Sequence, residues 1–267
     1  EDEVLREWQG LGYYSRARNL HFAAHQIVEM GGFPKSIEGI KQLKGVGDYT
    51  AAAIGSIAFN LPAAVVDGNV YRVLSRYFGI DTPINTTEGK ILFAAMAQEQ
   101  LLPALNREGL GAGLYNQAIM DFGAIQCTPQ SPKCDSCPLA ETCEAFRTDR
   151  IQELPVKLKT LKIRERHLIY IYVRWQGQTV IHRRGAGDIW QGLYEPWLVE
   201  EVPYGAVLLR QNVKHVLTHR VLYADFYLLE TDKQPSPPSY YIWIPEADID
   251  NYALPRLIEI LLDSLHK

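Results

Sequence analysis

No stretch of this 267-residue chain stays apolar for the roughly 20 residues that a membrane helix needs, so the sequence predicts no membrane partner. Methionine is scarce, residue 1 is a glutamate, and no basic-then-apolar leader follows it. Val4, Leu5, Trp8 and Leu11 already form a helical stripe, so the chain is expected to begin inside a structured region of an N-terminally truncated protein. A basic surplus is also missing: 27 Lys and Arg face 31 Asp and Glu, a net charge of −4. That balance counts against a nucleic-acid binder that grips by a basic face, though a grip made of backbone amides adds nothing to the sum. Internal repeats are absent too. Cysteine is confined, with all four between residues 127 and 143.

Two kinds of pattern are present. Segments near 3–9, 16–30, 36–43, 48–59, 67–78, 87–101 and 111–125 carry apolar residues at the three-to-four spacing of amphipathic helices. Gly31 to Pro34, Thr82-Pro83 and Leu102-Pro103 are read as breaks. Composition shifts after Arg150. Residues 151–166, basic around Pro155, read as a linker, and 167–267 as a second domain. There the signals are strands at 168–175 and 179–184 joined by a turn at Gln176-Gly177-Gln178, further strands at 194–199, 221–230 and 240–244, and a closing helix at 254–265. The expected architecture is an all-helical domain over 1–150 followed by an α+β domain.

Residues 43–67 carry the first chemical signal. Gly45 and Gly47 flank Val46, so the backbone can turn sharply and offer N–H groups to an anion. A helix opening at Asp48-Tyr49-Thr50 would aim its unpaired donors the same way, as a phosphate site requires. Asp67 then emerges from an apolar run beside Gly68 and Asn69. Without further context an aspartate before glycine is a turn or helix cap. The second signal is Cys127, Cys134, Cys137 and Cys143, which by spacing alone suit zinc and an iron–sulfur cluster equally.

Helical pattern, glycine hairpin, VDGNVYRVLSR and Cys-x6-Cys-x2-Cys-x5-Cys, in that order, resemble the endonuclease III superfamily of DNA glycosylases with its helix-hairpin-helix motif. The resemblance implies a [4Fe–4S] cluster on Cys127, Cys134, Cys137 and Cys143, and DNA phosphate held by Gly45, Val46 and Gly47. Lyase members carry a lysine just after the hairpin; here Tyr49 stands there, and a phenol forms no Schiff base. Tyr49 and the run GLGYYSRARN at 10–19 instead resemble the MutY family, adenine glycosylases acting on adenine opposite 8-oxoguanine or guanine. That resemblance implies Asp67 as the carboxylate stabilising a sugar cation, Asn69 and Tyr49 beside it, and Tyr13 as a wedge in the DNA stack. Asp48 departs from the arginine often found at its position.

The second half resembles the MutT-like domain of the same family, through RRGAGDIWQGLYEPW at 183–197 and KHVLTH at 214–219. It lacks the REUxEE helix of a Nudix hydrolase, so recognition rather than hydrolysis is implied, with Thr218 and His219 reading oxidised guanine. The family's catalytic glutamate lies in a segment that this sequence does not contain, so residues 1–267 are expected to excise little adenine and to expose apolar surface where that segment packs. The implied protein is a monofunctional glycosylase on double-stranded DNA, monomeric, in a bacterial cytoplasm close to the nucleoid. The alternatives are a bifunctional endonuclease III-type lyase and a non-catalytic DNA-binding module.

Overall fold

The computed structural model describes residues 1–158 and 163–265. It divides into two compact units, one of residues 23–158 and the other of Glu1–Phe22 with 163–265. The first unit is helical. After α1 (Asp2–Glu7) and the start of α2 (Tyr14–Glu29), which belong to the other unit, come α3 (Ile37–Lys41), α4 (Asp48–Phe59), α5 (Gly68–Phe78), α6 (Thr87–Leu105), α7 (Ala112–Asp121) and α8 (Glu144–Arg147). Caps set several boundaries: Ser36 and Thr86 accept the N–H groups of Gly39 and Gly89, at 3.1 and 3.0 Å. Ala52, Val65, Val70, Leu74, Phe93 and Ala97 form the core, with Tyr71 edge-on to Phe93.

Two sequence expectations fail in this unit. Leu102-Pro103 does not end α6, which runs on to Leu105. Proline forfeits one hydrogen bond near a helix end, and fully buried Leu101 anchors that turn. The linker reading fails at both edges of 151–166. Leu154 is buried, Val156 accepts the Ile84 N–H, and Arg164 to Arg166 already belong to a strand. The sequence shows basic residues around a proline, but not the helical carbonyls and amides that hold 151–158. Residues 159–162 of the expected linker lie outside the described residues.

The second unit is built on a sheet ordered β4-β5-β1-β3-β2-β6. Its strands are β1 (Arg164–Arg174), β2 (Gln178–Arg183), β3 (Tyr194–Val199), β4 (Val207–Val216), β5 (Arg220–Glu230) and β6 (Ile242–Pro245). β1 runs parallel to β5 and antiparallel to β3. Gln176 and Gly177 make the expected hairpin turn with positive φ at both positions. Tyr170, Leu222 and Phe226 pack against Leu257, Ile258 and Leu261 of the closing helix α9 (Arg256–Leu265). The missed strand is β4, an edge strand whose exposed side chains and two bulges break any alternation.

Glu1–Phe22 is expected within the helical domain of 1–150, yet it clusters with the sheet unit. Leu5, Tyr14 and Ala17 share a buried cluster with Leu193 and Ala253, and Arg183 pairs with Glu1 and Asp2 at 3.0 and 2.7 Å. Exposed apolar side chains include Leu11, Leu20, Val28 and Ile57. Among the described residues no helix is long and apolar enough to cross a membrane.

Candidate active site and nucleic-acid interface

The hairpin before α4 turns at Gly45, whose φ of +79° is the left-handed conformation that favours glycine. Gly47 is extended and serves as the N-cap of α4. The N–H of Val46 is not available to a phosphate, because it closes the turn by donating to the Leu43 carbonyl at 3.1 Å. That corrects the sequence expectation for Val46. The N–H groups of Gly45, Gly47, Asp48, Tyr49 and Thr50 meet no acceptor among the described residues, so these are the donors left to meet an anion. Asp48 adds a negative charge at its centre, partly met by Lys41 at 2.5 Å.

Asp67 is the N-cap of α5, as the simpler reading of Asp-Gly has it. Its Oδ1 accepts the N–H groups of Asn69 and Val70 at 2.9 and 2.8 Å, and its Oδ2 accepts Asn69 Nδ2 at 3.0 Å. The irregular segment leading to it is held by Asn116, which is fully buried. Asn116 accepts the Val65 N–H at 3.2 Å and donates to Ser56 Oγ and the Ala63 carbonyl, both at 2.8 Å. Asn69 is fixed from behind: a Cβ on Gly123 would stand 2.7 Å from its Cβ, so only glycine fits there. Tyr49 is 44% exposed and its hydroxyl reaches Met120 Sδ at 3.8 Å.

Sequence reasoning missed Arg72 and Arg76, though both lie in the quoted motif, one helical turn apart. Arg72 donates to Asn69 Oδ1 at 2.8 Å and to the carbonyls of Gly123 and Cys127, both at 2.6 Å. Arg76 donates to the carbonyls of Ile151, Leu154, Thr128 and Pro129 and to Cys127 Sγ at 3.4 Å. The signal was an i, i+4 arginine pair on a strongly amphipathic helix, which an exposed helix face would show equally.

Cys127, Cys134, Cys137 and Cys143 ring one cavity of about 30 Å3 with Val73, Phe122 and Ile151 in its wall. Burial, and then the other three cysteines, push the Cys134 thiol up. Among the described residues no three His, Cys, Asp or Glu side chains converge as a single metal ion would need, with sulfurs about 2.3 Å from zinc. Four thiols around a common space fit a cluster. Such a group would be held by these four side chains and cross-link a loop that Arg72 and Arg76 tie to α5.

In the sheet unit, Tyr13, Thr218 and His219 line one groove with Arg18, Trp190, His215 and Arg220, enclosing about 840 Å3. Tyr13 has a φ of +47° and is 65% exposed, with Arg16 stacked on its ring at 4.9 Å. Thr218 and His219 occupy the turn between β4 and β5, and Arg18 donates to the Gln191 carbonyl. Burial, then Arg256, pulls the His215 imidazole down. Asp188 takes Arg166 at 2.5 Å, Arg184 at 2.7 Å and Arg220 at 2.8 Å. Glu195 is also paired to Arg184, so the network joins three guanidinium groups to two carboxylates.

Residues 1–95 match the HhH-GPD superfamily of base excision DNA repair proteins, 127–143 the iron–sulfur binding domain of endonuclease III, and 169–264 the NUDIX domain. The adenine DNA glycosylase of Buchnera aphidicola subsp. Schizaphis graminum is 34% identical over 195 residues, covering 72% of this chain and 54% of that protein. That of Buchnera aphidicola subsp. Baizongia pistaciae is 30% identical over 83% of this chain and 65% of its own length. The Homo sapiens adenine DNA glycosylase is 45% identical over 147 residues, 54% of this chain and 26% of its own. A solved thermostable thymine-DNA glycosylase is 32% identical over 55% of this chain and 65% of its own, with a TM-score of 0.48. The chain thus spans from about a quarter to two thirds of these curated relatives. It carries a helix-hairpin-helix glycosylase domain with a [4Fe–4S] cluster loop, followed by a Nudix-like domain, and it belongs to the MutY family of adenine DNA glycosylases.

Proposed function

We propose that the chain takes part in base-excision repair as a monofunctional glycosylase, hydrolysing the N-glycosidic bond of adenine opposite 8-oxoguanine or guanine in double-stranded DNA. The observation that carries this reading is the Asp67 carboxylate, held by two backbone amides and Asn69 with no ion pair among the described residues. A target base must leave the stack before its glycosidic bond is reachable. As the bond breaks, the sugar gains positive charge, and an unneutralised carboxylate is the group to stabilise it. Asn69 keeps the carboxylate in place, and Tyr49 is assigned to the same site. The amides of Gly45, Gly47 and the first turn of α4 hold a phosphate, and the cluster loop braces α5 structurally.

Tyr13, Thr218 and His219 are assigned to the base opposite adenine, with the hydroxyl and imidazole separating oxidised from normal guanine. Residues 1–267 alone contain no glutamate in the motif that protonates the leaving adenine, so this polypeptide is assigned weak DNA binding and little excision. The native gene product is assigned to act as a monomer in the bacterial cytoplasm. Single-turnover excision by the native gene product from duplexes with A:8-oxoguanine, A:G and A:T pairs tests the reading. We expect cleavage of the first two, abolished by Asp67→Asn with binding retained. Excision by Asp67→Asn, or a borohydride-trapped covalent adduct, would overturn it.

A further inference from the structure

The hairpin ahead of α4 is closed by its own backbone but oriented from another helix. Leu43 N–H donates to the Ile40 carbonyl at 3.2 Å and Val46 N–H to the Leu43 carbonyl at 3.1 Å, so these local bonds reach back three residues each. Leu43 is 3% exposed and seats the turn on the core. One buried side chain fixes where the turn sits, but not which way the peptide planes on either side of it face. Those planes are held by Gln26, in the part of α2 that belongs to the helical unit. Its Oε1 accepts the Lys44 N–H at 2.7 Å and its Nε2 donates to the Gln42 carbonyl at 3.3 Å, 18 and 16 residues away along the chain. A side-chain amide carries one acceptor and a donor group side by side, so a single Gln26 bonds the backbone on both sides of Leu43.

The order of the donors gives this bond a consequence. The Lys44 N–H is taken by Gln26, and the amides that follow, those of Gly45, Gly47, Asp48, Tyr49 and Thr50, meet no acceptor among the described residues. The hold of Gln26 therefore ends one residue before the first amide that can meet an anion. Donors that already face their ligand bind it without the entropy cost of ordering them first. We propose that Gln26 is the positioning residue of the anion grip. It orients the amides from Gly45 onward for a DNA phosphate and acts through the hairpin rather than by touching the phosphate. The proposal depends on the reading of these amides as phosphate donors, and it predicts an effect on binding rather than on the chemical step, which Asp67 carries elsewhere in the unit.

Titration of the native gene product and its variants against a duplex holding an A:8-oxoguanine pair, beside single-turnover excision at saturating protein, tests the assignment. Gln26→Met keeps the length of the side chain and removes both hydrogen bonds. It should weaken duplex binding about three- to tenfold and speed hydrogen exchange at the Lys44 amide, with the saturating excision rate and the thermal melt unchanged. Gln26→Glu keeps the acceptor for Lys44 and should recover most of that affinity at a salt concentration that screens its added charge. Gly45→Ala, strained at a φ of +79°, disturbs the grip directly and serves as the reference. A loss of affinity in Gly45→Ala but not in Gln26→Met would overturn the positioning role and leave the phosphate reading standing. Unchanged affinity in both would overturn that reading and the proposal with it. A parallel fall in melt or excision rate, no recovery in Gln26→Glu, or unaltered exchange at Lys44 would make Gln26 an ordinary structural contact and overturn the proposal.

Discussion

Asp67 and Asp188 are both aspartates at the start of a turn, and their surroundings are opposite. Asp188 is met by three guanidinium groups; although its partial burial raises the pKa, the hydrogen bond from Arg166, the Ile189 amide and the charges of Arg166 and Arg184 bring it down to about 2. Asp67 is met by N–H groups that carry no full charge, and the nearby cation, Arg72, reaches Asn69 rather than the carboxylate. Guanidinium groups neutralise a carboxylate and make it a structural tie. Amides orient it and leave its charge free for a developing cation. One residue type therefore serves two purposes, and the donors decide which.

The comparison breaks most visibly at Asp67. Asp67→Asn keeps one acceptor for the cap but removes the charge. Excision by the native gene product should fall at least about a thousandfold, roughly 4 kcal/mol of transition-state stabilisation, with duplex affinity nearly unchanged. Single-turnover kinetics beside a binding titration would check it. A parallel loss of affinity and rate would make Asp67 a folding residue like Asp188.

The next largest effect concerns the arginines behind Asp67. Arg76 is 2% exposed and donates to four carbonyls of the cluster loop and its neighbour segment. Arg76→Ala should cost about 3–4 kcal/mol in denaturant unfolding and lower the iron content of the purified protein. Full iron content with unchanged stability would show that the cluster holds α5 without help from Arg76.

Acid titration sharpens the other side. The folded pKa of Asp188, about 2, lies below the ordinary value of 3.8, so its contribution is present above pH 4 and is lost as pH falls towards 2. Because this carboxylate is about one-third exposed, its worth after screening is about 1–2 kcal/mol. Asp188→Asn should lower stability at pH 7 by that amount and flatten the acid limb of the stability curve between pH 4 and 2. An unaltered acid limb would mean that the three arginines tolerate a neutral partner.

How far such contrasts were legible in the sequence depended on whether their partners lay nearby in the chain. Asp67 as a cap, Asn69 beside it, the hairpin turn at Gly45 and the cysteine loop all depend on neighbours within a few residues. β4 was not legible, because an edge strand buries too little of either face to alternate. Nor were Arg72 and Arg76, whose acceptors are about 50 to 80 residues away, or the Asp188 network, which draws on β1, β5 and the turn after β2. The N–H of Val46 was misjudged for a related reason: a tight turn consumes one of the donors that its glycines expose.

The smallest expected effect is at Asp48, a carboxylate placed by neither logic. It is largely exposed, it heads α4 among five N–H groups without acceptors, and its partner is Lys41 at 2.5 Å. A carboxylate at a helix N-terminus stabilises the helix slightly, but here it also repels the phosphate that those donors would bind. Asp48→Asn removes the repulsion and releases Lys41 towards the same anion. Duplex affinity should rise a few-fold at low salt, and the gain should vanish at high salt, where exposed charges are screened. The melting temperature should hardly move, since exposed pairs contribute little. A fall in affinity would mean that Asp48 acts as Asp67 does, orienting a group through its hydrogen bonds rather than opposing one through its charge.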